Sequence, residues 1–185
     1  MPQIIIETVL EYAEADYEEW SSGKRERWVS EPVPAHVVNQ PRYHFGEYFV
    51  LSHFAKEGWA GHRFYALGEW EPNNQKIQPG RDEINRRFDA QRLALFRQIR
   101  RESGRASGTG EPDVFLCHSD GRLRFLEVKM KADRVSPAQL ECLAQISAVL
   151  GGEVGIVYLR ETNQVYSAKR YELDLVGFKG RVLEA

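Results

Sequence analysis

The feature that most constrains this fold is a strand–turn–strand pattern followed closely by a strong helix start. Residues 113–117 and 122–130 have strand-like composition, and His-Ser-Asp-Gly between them contains the Asp-Gly pair favoured in tight hairpin turns. Further along, Ser136-Pro137-Ala-Gln139 combines an N-cap serine, a first-turn proline and a glutamine at the third helical position. The sequence therefore predicts a β-hairpin that leads into an α-helix ending at about Leu150.

The remaining elements are predicted from apolar spacing and from the positions of proline and glycine. The first is a helix over 6–20, although its Ile-rich start could instead be a strand. An irregular connection over 21–41, a helix over 42–57, a strand over 62–67 and a loop over 70–81 follow. The last are a helix from 82 to 103 and two strands, 154–160 and 164–171, that form a second hairpin. The helix after the loop, capped by Asp82, should bury Ile84, Phe88, Leu95, Phe96 and Ile99. Strands that run into helices and back indicate an α/β fold with a mixed central sheet flanked by helices.

The hairpin also predicts which side chains share a face. If the turn centres on Asp120, the numbers of opposed residues sum to 240, which places Asp113 across from Glu127. Lys129 shares the face of Glu127 because strand side chains alternate, whereas Val128 points into the core on the other side. The pattern predicts two carboxylates and an ammonium at one end of one sheet face. A slip of one residue in register would scatter them.

This set of charges has two readings. Two adjacent carboxylates repel unless a cation or a proton lies between them, and Mg²⁺ favours a few carboxylate oxygens together with water and phosphate. A lysine beside such an ion is suited to metal-assisted phosphodiester hydrolysis. The alternative is a surface salt bridge across a hairpin, since charged residues at strand ends are common.

A longer pattern resembles a known nuclease family. Glu111-Pro112-Asp113 followed by Glu127-Val128-Lys129 is similar to the PD-(D/E)XK pattern. Together with the run Asp133-Arg-Val-Ser-Pro-Ala-Gln139, it resembles the VRR-NUC branch, tightly over 105–160 and loosely over 42–67. The resemblance implies a restriction-endonuclease-like core over 42–185. Residues 1–41 would then be an N-terminal extension with an acidic helix, and 70–108 a helical insertion after the first core strand.

The resemblance also implies roles for individual residues. Asp113 and Glu127 match the metal-binding acids, the main-chain carbonyl of Val128 matches a further ligand, and Lys129 matches the catalytic lysine. Glu47 on the preceding helix matches a carboxylate that many members add to the metal site, although a solvated surface glutamate is an equal alternative. Gln139 matches the family's helix glutamine, although its place in the capping box explains it equally well. Two positions depart from the family pattern: Met130-Lys131 stands where a glycine is usual, and Cys142 where an aromatic is common.

Composition excludes several other classes of protein. The net charge of −2 excludes a uniformly basic binder, but residues 1–31 hold eight acids and three bases, whereas residues 81–105 hold eight arginines and four acids. Two cysteines, Cys117 and Cys142, cannot form a four-thiolate zinc site, and the five histidines lack metal-binding spacing. We expect two reduced, buried thiols in a cytoplasmic protein, with no membrane span and no secretory signal.

The resemblance, together with the paired carboxylates and Lys129, implies an endonuclease that uses Mg²⁺ or Mn²⁺ to hydrolyse phosphodiester bonds in DNA, branched or structured DNA included. Arginines of the 82–103 helix would contact phosphates, with solvated surface as the alternative; these are Arg86, Arg92, Arg97 and Arg100. Two other functions stay open: an inactive nuclease fold that only binds nucleic acid, and a protein-interaction domain that docks through the acidic N-terminal helix. A homodimer would suit cleavage of both DNA strands.

Overall fold

The computed structural model describes residues 2–29, 34–40, 43–68, 75–105 and 108–183. The strands of this part of the chain are β1 (Gln3–Ile6), β2 (Thr8–Tyr12), β3 (Trp59–His62), β4 (Val114–His118), β5 (Leu123–Met130), β6 (Glu153–Glu161), β7 (Arg170–Asp174) and β8 (Lys179–Leu183). The helices are α1 (Glu14–Ser21), α2 (Ala35–Val38), α3 (Phe45–Ala55), α4 (Gln78–Arg87), α5 (Ala90–Glu102) and α6 (Pro137–Gln145), which continues as a π-helical segment, Ile146–Leu150.

The central sheet is mixed, as predicted. Its five strands lie in the order β2-β6-β5-β4-β3, with β6 parallel to both β2 and β5, and with β4 antiparallel to both β5 and β3. The helix between β5 and β6 provides the crossover that a parallel pair requires. A second, antiparallel sheet has the order β1-β7-β8.

Alternation along the hairpin divides the core into layers. Val114, Leu116 and Leu126 pack on the face covered by α3, whereas Phe115 and Phe125 pack on the opposite face with α4, α5 and α6. The two rings stack with centroids 4.8 Å apart. Asp113 and Glu127 belong by their numbering to the second set, so the functional end of the hairpin opens toward α6.

The start of α6 follows the predicted capping box. The Ser136 hydroxyl accepts a hydrogen bond from the Gln139 amide at 3.2 Å, and the Gln139 side-chain oxygen accepts one from the Ser136 amide at 2.8 Å. The helix after β5 therefore begins at a defined residue. This brings Gln139 back toward the end of β5.

The N-terminal region differs from the predicted helix over 6–20. Its first part forms strands, the alternative that the Ile-rich start left open, and only residues from Glu14 onward are helical. The reason is tertiary: β2 pairs in parallel with β6, and β1 pairs with β7. The domain boundary expected near residue 41 therefore falls between paired strands, since β1 and β2 precede it and their partners β7 and β6 follow it. Two acidic residues of α1 form ion pairs with an arginine that follows the helix, since Arg27 lies 2.6 Å from Asp16 and 3.3 Å from Glu19.

Four further expectations were wrong in detail. The strand expected over 62–67 lies earlier in the chain, as β3, because pairing with β4 extends only from Trp59 to His62. The single helix expected from Asp82 is two helices, the second capped by Asp89. Leu95 is 48% exposed, and Leu93 is buried in its place. The strand expected over 164–171 lies later, as β7. It pairs with β1 and β8 and not with β6, because β2 and β5 already occupy both edges of β6.

Several expectations concern local features. Residues 70–74 of the expected 70–81 loop lie outside the described residues, and α4 begins at Gln78. Residues 30–33 and 41 of the expected irregular connection over 21–41 also lie outside them; the described part contains one short helix, α2. Both cysteines are buried free thiols, as predicted. Within the described ranges, no helix is long and apolar enough to cross a membrane.

Candidate active site

The hairpin register places Asp113 beside the end of β5. Opposed residues of β4 and β5 run from Val114 with Leu126 to Cys117 with Leu123, and the numbers in every pair sum to 240, as predicted. Asp113 directly precedes β4, and its Oδ2 accepts a hydrogen bond of 2.8 Å from the main-chain amide of Val128. The two strands thus hold the Asp113 and Glu127 carboxyls within hydrogen-bonding reach of each other.

Glu127 is fully buried, yet only one of its carboxylate oxygens has partners. Oε1 lies 2.8 Å from the Lys129 ammonium and accepts a hydrogen bond from the Gln139 amide. Oε2 is buried, and no N–H or O–H donor of the described residues contacts it. Buried acceptors are normally satisfied, and an unsatisfied one costs about 1–3 kcal/mol or more when it is charged. The orphan oxygen therefore marks a place where a donor or a cation is missing.

The electrostatics of this pair agree with the contacts. Burial raises the pKa of Glu127 well above its usual range, and the negative charge of Asp113 adds to the rise, while the Lys129 ammonium opposes it. Burial also raises the pKa of Asp113, although the Val128 amide partly offsets the effect. Both shifts have the same sign, so the site disfavours two uncompensated negative charges.

Lys129 is buried between two carboxylates. Its Nζ lies 2.8 Å from Glu127 and 3.1 Å from Asp133, which follows it by four residues. Burial alone would lower the pKa of Lys129, but these two carboxylates outweigh it and raise the pKa. Lysine carries three donors, so one remains to contact a ligand.

Gln139 has both of the roles that its sequence position allowed. Its side-chain oxygen closes the capping box of α6, while its amide nitrogen donates to Glu127 Oε1. The helix start thereby fixes which atom of Gln139 faces the carboxylate. One side chain both caps the helix and orients Glu127.

Glu47 lies in the first turn of α3 and reaches the same cleft from the opposite layer. Its Oε1 accepts a hydrogen bond of 3.2 Å from Arg63, and the same guanidinium group lies 2.6 Å from His44 Nδ1. Burial would raise the pKa of Glu47, but His44 and Arg63 lower it overall. The carboxylate is therefore charged, with one oxygen held by a fixed cation.

The comparisons with known proteins bear on the region that contains most of this cleft. The VRR-NUC domain model matches residues 56–160, which is more than half of the chain. The chain belongs to the VRR-NUC family. This is a family of PD-(D/E)XK-like nuclease domains, so the predicted family and the restriction-endonuclease-like fold are confirmed. No curated protein and no solved structure gives a significant match.

The VRR-NUC match contains Asp113, Glu127, Lys129 and Gln139 but not Glu47. The cleft has a volume of about 310 Å³, and its lining also includes residues that sequence reasoning missed: Tyr17, Tyr43, His44, Lys131 and Asp133. Only Asp133 had a usable sequence signal, its position in the family-like run four residues after Lys129. The others reach the cleft through tertiary packing.

The four arginines predicted to contact DNA do not form one surface. The prediction for Arg100 is wrong, because this side chain is 5% exposed and donates to Gln145 and to the Thr109 carbonyl. Arg97 donates to the Leu67 carbonyl at 2.8 Å and so holds a loop. Arg86 pairs with Glu83 yet remains exposed, and Arg92 is exposed.

Arg92 is remote from the carboxylates. It lines a separate hollow with Gly121 of the hairpin turn and Gly151. This hollow lies at the Leu123 end of β5, which is about 20 Å from Lys129 at the rise of an extended strand. A phosphate contact at Arg92 would therefore involve DNA well outside the cleft.

The donor set in the cleft fits a magnesium-like ion. Among the described residues, no group of three or more His, Cys, Asp and Glu side chains is placed to hold a metal ion. Mg²⁺ does not require such a group, since it is typically bound by one or two carboxylates with water and phosphate completing its shell. The Asp113 and Glu127 carboxyls, with the buried Oε2 of Glu127 that no donor of the described residues contacts, match that requirement.

Proposed function

We propose that this VRR-NUC protein is a Mg²⁺- or Mn²⁺-dependent endonuclease that hydrolyses phosphodiester bonds in DNA, branched or structured DNA included. The observation that carries the proposal is the buried, unpartnered Oε2 of Glu127 beside the Asp113 carboxyl. The ion pair with Lys129 engages only Oε1 and so does not account for the second oxygen. A divalent cation would remove the repulsion between the two carboxylates and provide the missing partner.

Each residue has a distinct role in this proposal. Asp113, Glu127 and the Val128 carbonyl would hold the cation, which when bound would activate water and neutralise phosphate charge. Lys129, held by two carboxylates, directs its remaining donor toward the attacking water or a phosphate oxygen. Gln139 keeps Glu127 in position through the capping box.

Glu47 has a supporting role in the same proposal. One of its oxygens is held by Arg63, so a direct metal bond would use the other oxygen. Alternatively, its charge acts through water within the cleft.

Cleavage of a DNA panel tests the proposal. Linear, covalently closed circular, single-stranded and branched DNAs are incubated with Mg²⁺, Mn²⁺ or a chelator. We expect cutting of at least one substrate with metal only, and cutting of a closed circle establishes endonuclease action. A purified, folded protein that cuts none of them contradicts the proposal.

DNA contact outside the cleft is tested separately with Arg86 and Arg92. If each contacts a phosphate, Arg86→Gln and Arg92→Gln should each reduce the slope of log affinity against log salt by about 0.9 for duplex DNA. Both side chains are exposed, so the variants should fold normally. Slopes equal to that of the wild type would assign both arginines to solvated surface.

A further inference from the structure

One wall of the cleft that contains the carboxylates is aromatic. Tyr17 of α1 and Tyr43, just before α3, both line it, and both precede the region matched by the family model. Tyr43 is 67% exposed, while its main-chain carbonyl accepts a hydrogen bond of 3.4 Å from the buried Trp20 indole. The backbone at Tyr43 is therefore anchored while most of its side chain faces solvent at the cleft mouth.

Lys131 adds a cation to the same wall. Its ammonium lies 4.0 Å from the centroid of the Tyr17 ring, and the side chain is exposed. Its backbone has a φ of 55°, in the left-handed region that glycine adopts readily and other residues disfavour. The Tyr158 hydroxyl holds this conformation by donating to the Lys131 carbonyl at 2.7 Å. A lysine is thus kept over an aromatic ring at a backbone position better suited to glycine.

We propose that Tyr17, Tyr43 and Lys131 form a subsite that stacks one unpaired nucleobase beside the phosphate at the proposed cation site of Asp113 and Glu127. The proposal rests on the proposed nuclease function and specifies its substrate class. Aromatic side chains stack on the faces of bases irrespective of sequence, and a lysine contacts the adjoining phosphate. A base within a duplex is already stacked and paired, so only a single-stranded or unpaired nucleotide can enter without a cost in unpairing.

The composition of the cleft supports a base rather than phosphate alone. Phosphate backbone binding requires cations and hydrogen-bond donors but not aromatic rings. Here two tyrosines and a lysine line the same cleft as Asp113 and Glu127, which has a volume of about 310 Å³, the size of a small-ligand site. That space suits a single nucleotide at the scissile position.

Binding of two single-stranded oligonucleotides tests the subsite without cleavage. The probes are fluorescent oligothymidylate and an abasic oligonucleotide of equal length and charge, measured in low salt with a chelator. We expect the wild type to bind the thymidylate about tenfold more tightly, the scale of losing a stacked base. Tyr43→Ala should remove most of this difference, whereas Tyr43→Phe, which keeps the ring, should retain it.

Leu95→Ala is the control variant for this binding experiment. Leu95→Ala removes an exposed apolar side chain on α5 and should leave both affinities unchanged. The proposal is overturned if the wild type binds both probes equally or binds neither. It is overturned equally if Tyr43→Ala retains the full preference for the base-containing probe.

Lys131→Gly provides a second, independent variant. Glycine accepts the φ of 55°, so the fold should be retained. The variant should bind both probes more weakly by a similar factor and with a shallower salt dependence, because it loses a phosphate contact and not a stacking surface. Unchanged affinity for both probes would remove Lys131 from the subsite.

Cleavage assays run in parallel separate this proposal from the nuclease proposal. With Mn²⁺, Tyr43→Ala should lose about tenfold more activity on single-stranded than on duplex DNA. If cutting occurs but the ratio does not change, the base subsite is wrong and the nuclease function stands. If no protein cuts but the base-dependent binding follows Tyr43, the nuclease function is wrong and the subsite stands.

Discussion

Two buried glutamates, Glu7 and Glu127, differ in how completely their oxygens are bonded. Glu7 is 5% exposed and accepts hydrogen bonds from the Tyr171 hydroxyl at 2.6 Å, the Tyr166 hydroxyl at 2.5 Å and the Lys169 amide at 2.8 Å, so both of its oxygens are used. Glu127 is 0% exposed, and in the part of the chain that the structure describes no donor contacts its Oε2.

The neighbours of the two carboxylates account for the difference. Glu7 lies where β1 leads into β2, and its three donors tie this segment to the β6–β7 connection and to β7. Glu127 lies beside a second carboxyl group, Asp113, which repels it. A carboxylate with complete hydrogen bonding stabilises the fold as it stands, whereas one with an unpartnered oxygen and a like-charged neighbour can be stabilised by a cation or a shared proton. This difference is the reason that the proposed cation site is placed at Glu127 and not at Glu7.

The largest effect that separates the two glutamates should be on cleavage. Glu127→Gln and Asp113→Asn should each lower the rate of DNA cleavage by about 10² or more, the scale of losing one preorganised catalytic group. Glu7→Gln should cut at nearly the wild-type rate when assayed well below its melting temperature. Equal losses from Glu7→Gln and Glu127→Gln would break the distinction.

The gain in stability on adding metal should require Glu127 and Asp113 but not Glu7. A ligand that binds only the folded state stabilises it by about 2.7 kcal/mol at one hundred times its Kd. Mn²⁺ should therefore raise the melting temperature of the wild type and of Glu7→Gln by several degrees, on the order of 2–4 °C per kcal/mol for a chain of this length. In calorimetry, Glu127→Gln and Asp113→Asn should show little or no such rise.

The free energy of unfolding should reverse the ranking when metal is removed. Glu7→Gln places an amide NH₂ group among three donors and should lower the free energy of unfolding by about 2 kcal/mol, as expected for lost hydrogen bonds to a charged group. Urea denaturation in a chelator measures this. A loss below about 0.5 kcal/mol would mean that the Glu7 network contributes little to stability.

The smallest effect should be a gain. In the chelator, Asp113→Asn should leave the free energy of unfolding unchanged or raise it by about 1 kcal/mol, because the new amide can still accept from Val128 while donating to the orphan Oε2 of Glu127. The same urea experiment, with Glu7→Gln as the paired variant, measures it. A clear loss of stability would show that the carboxyl pair is structural.

Much of the core of the site was predictable because its determinants are local. The Asp-Gly turn fixes the register of two adjacent strands, and alternation then places Asp113, Glu127 and Lys129 on one face. The capping box fixes the start of α6 and hence the position of Gln139. These relations span fewer than thirty residues and depend on backbone geometry that the sequence specifies directly.

Longer-range assignments failed where packing overrode local pattern. The apolar spacing over residues 6–20 satisfies a helical period, but pairing of β2 with β6 makes its first part a strand. Arg100 has the spacing of an exposed arginine, yet contacts with Gln145 and Thr109 bury it. In both regions the deciding partner lies outside the local window, about 150 residues away for β2 and 45 for Gln145.

The sequence by itself determined the hairpin, its register and the capped helix, and through them the nuclease-like arrangement of Asp113, Glu127 and Lys129. Only the tertiary structure decided that Arg63 restrains Glu47 and that Tyr17 and Lys131 meet at the same cleft. The physical reason is the range of the interactions. Turn and cap geometry follow from a few neighbouring residues, whereas side chains from separate elements meet only after the sheet and its covering helices have packed.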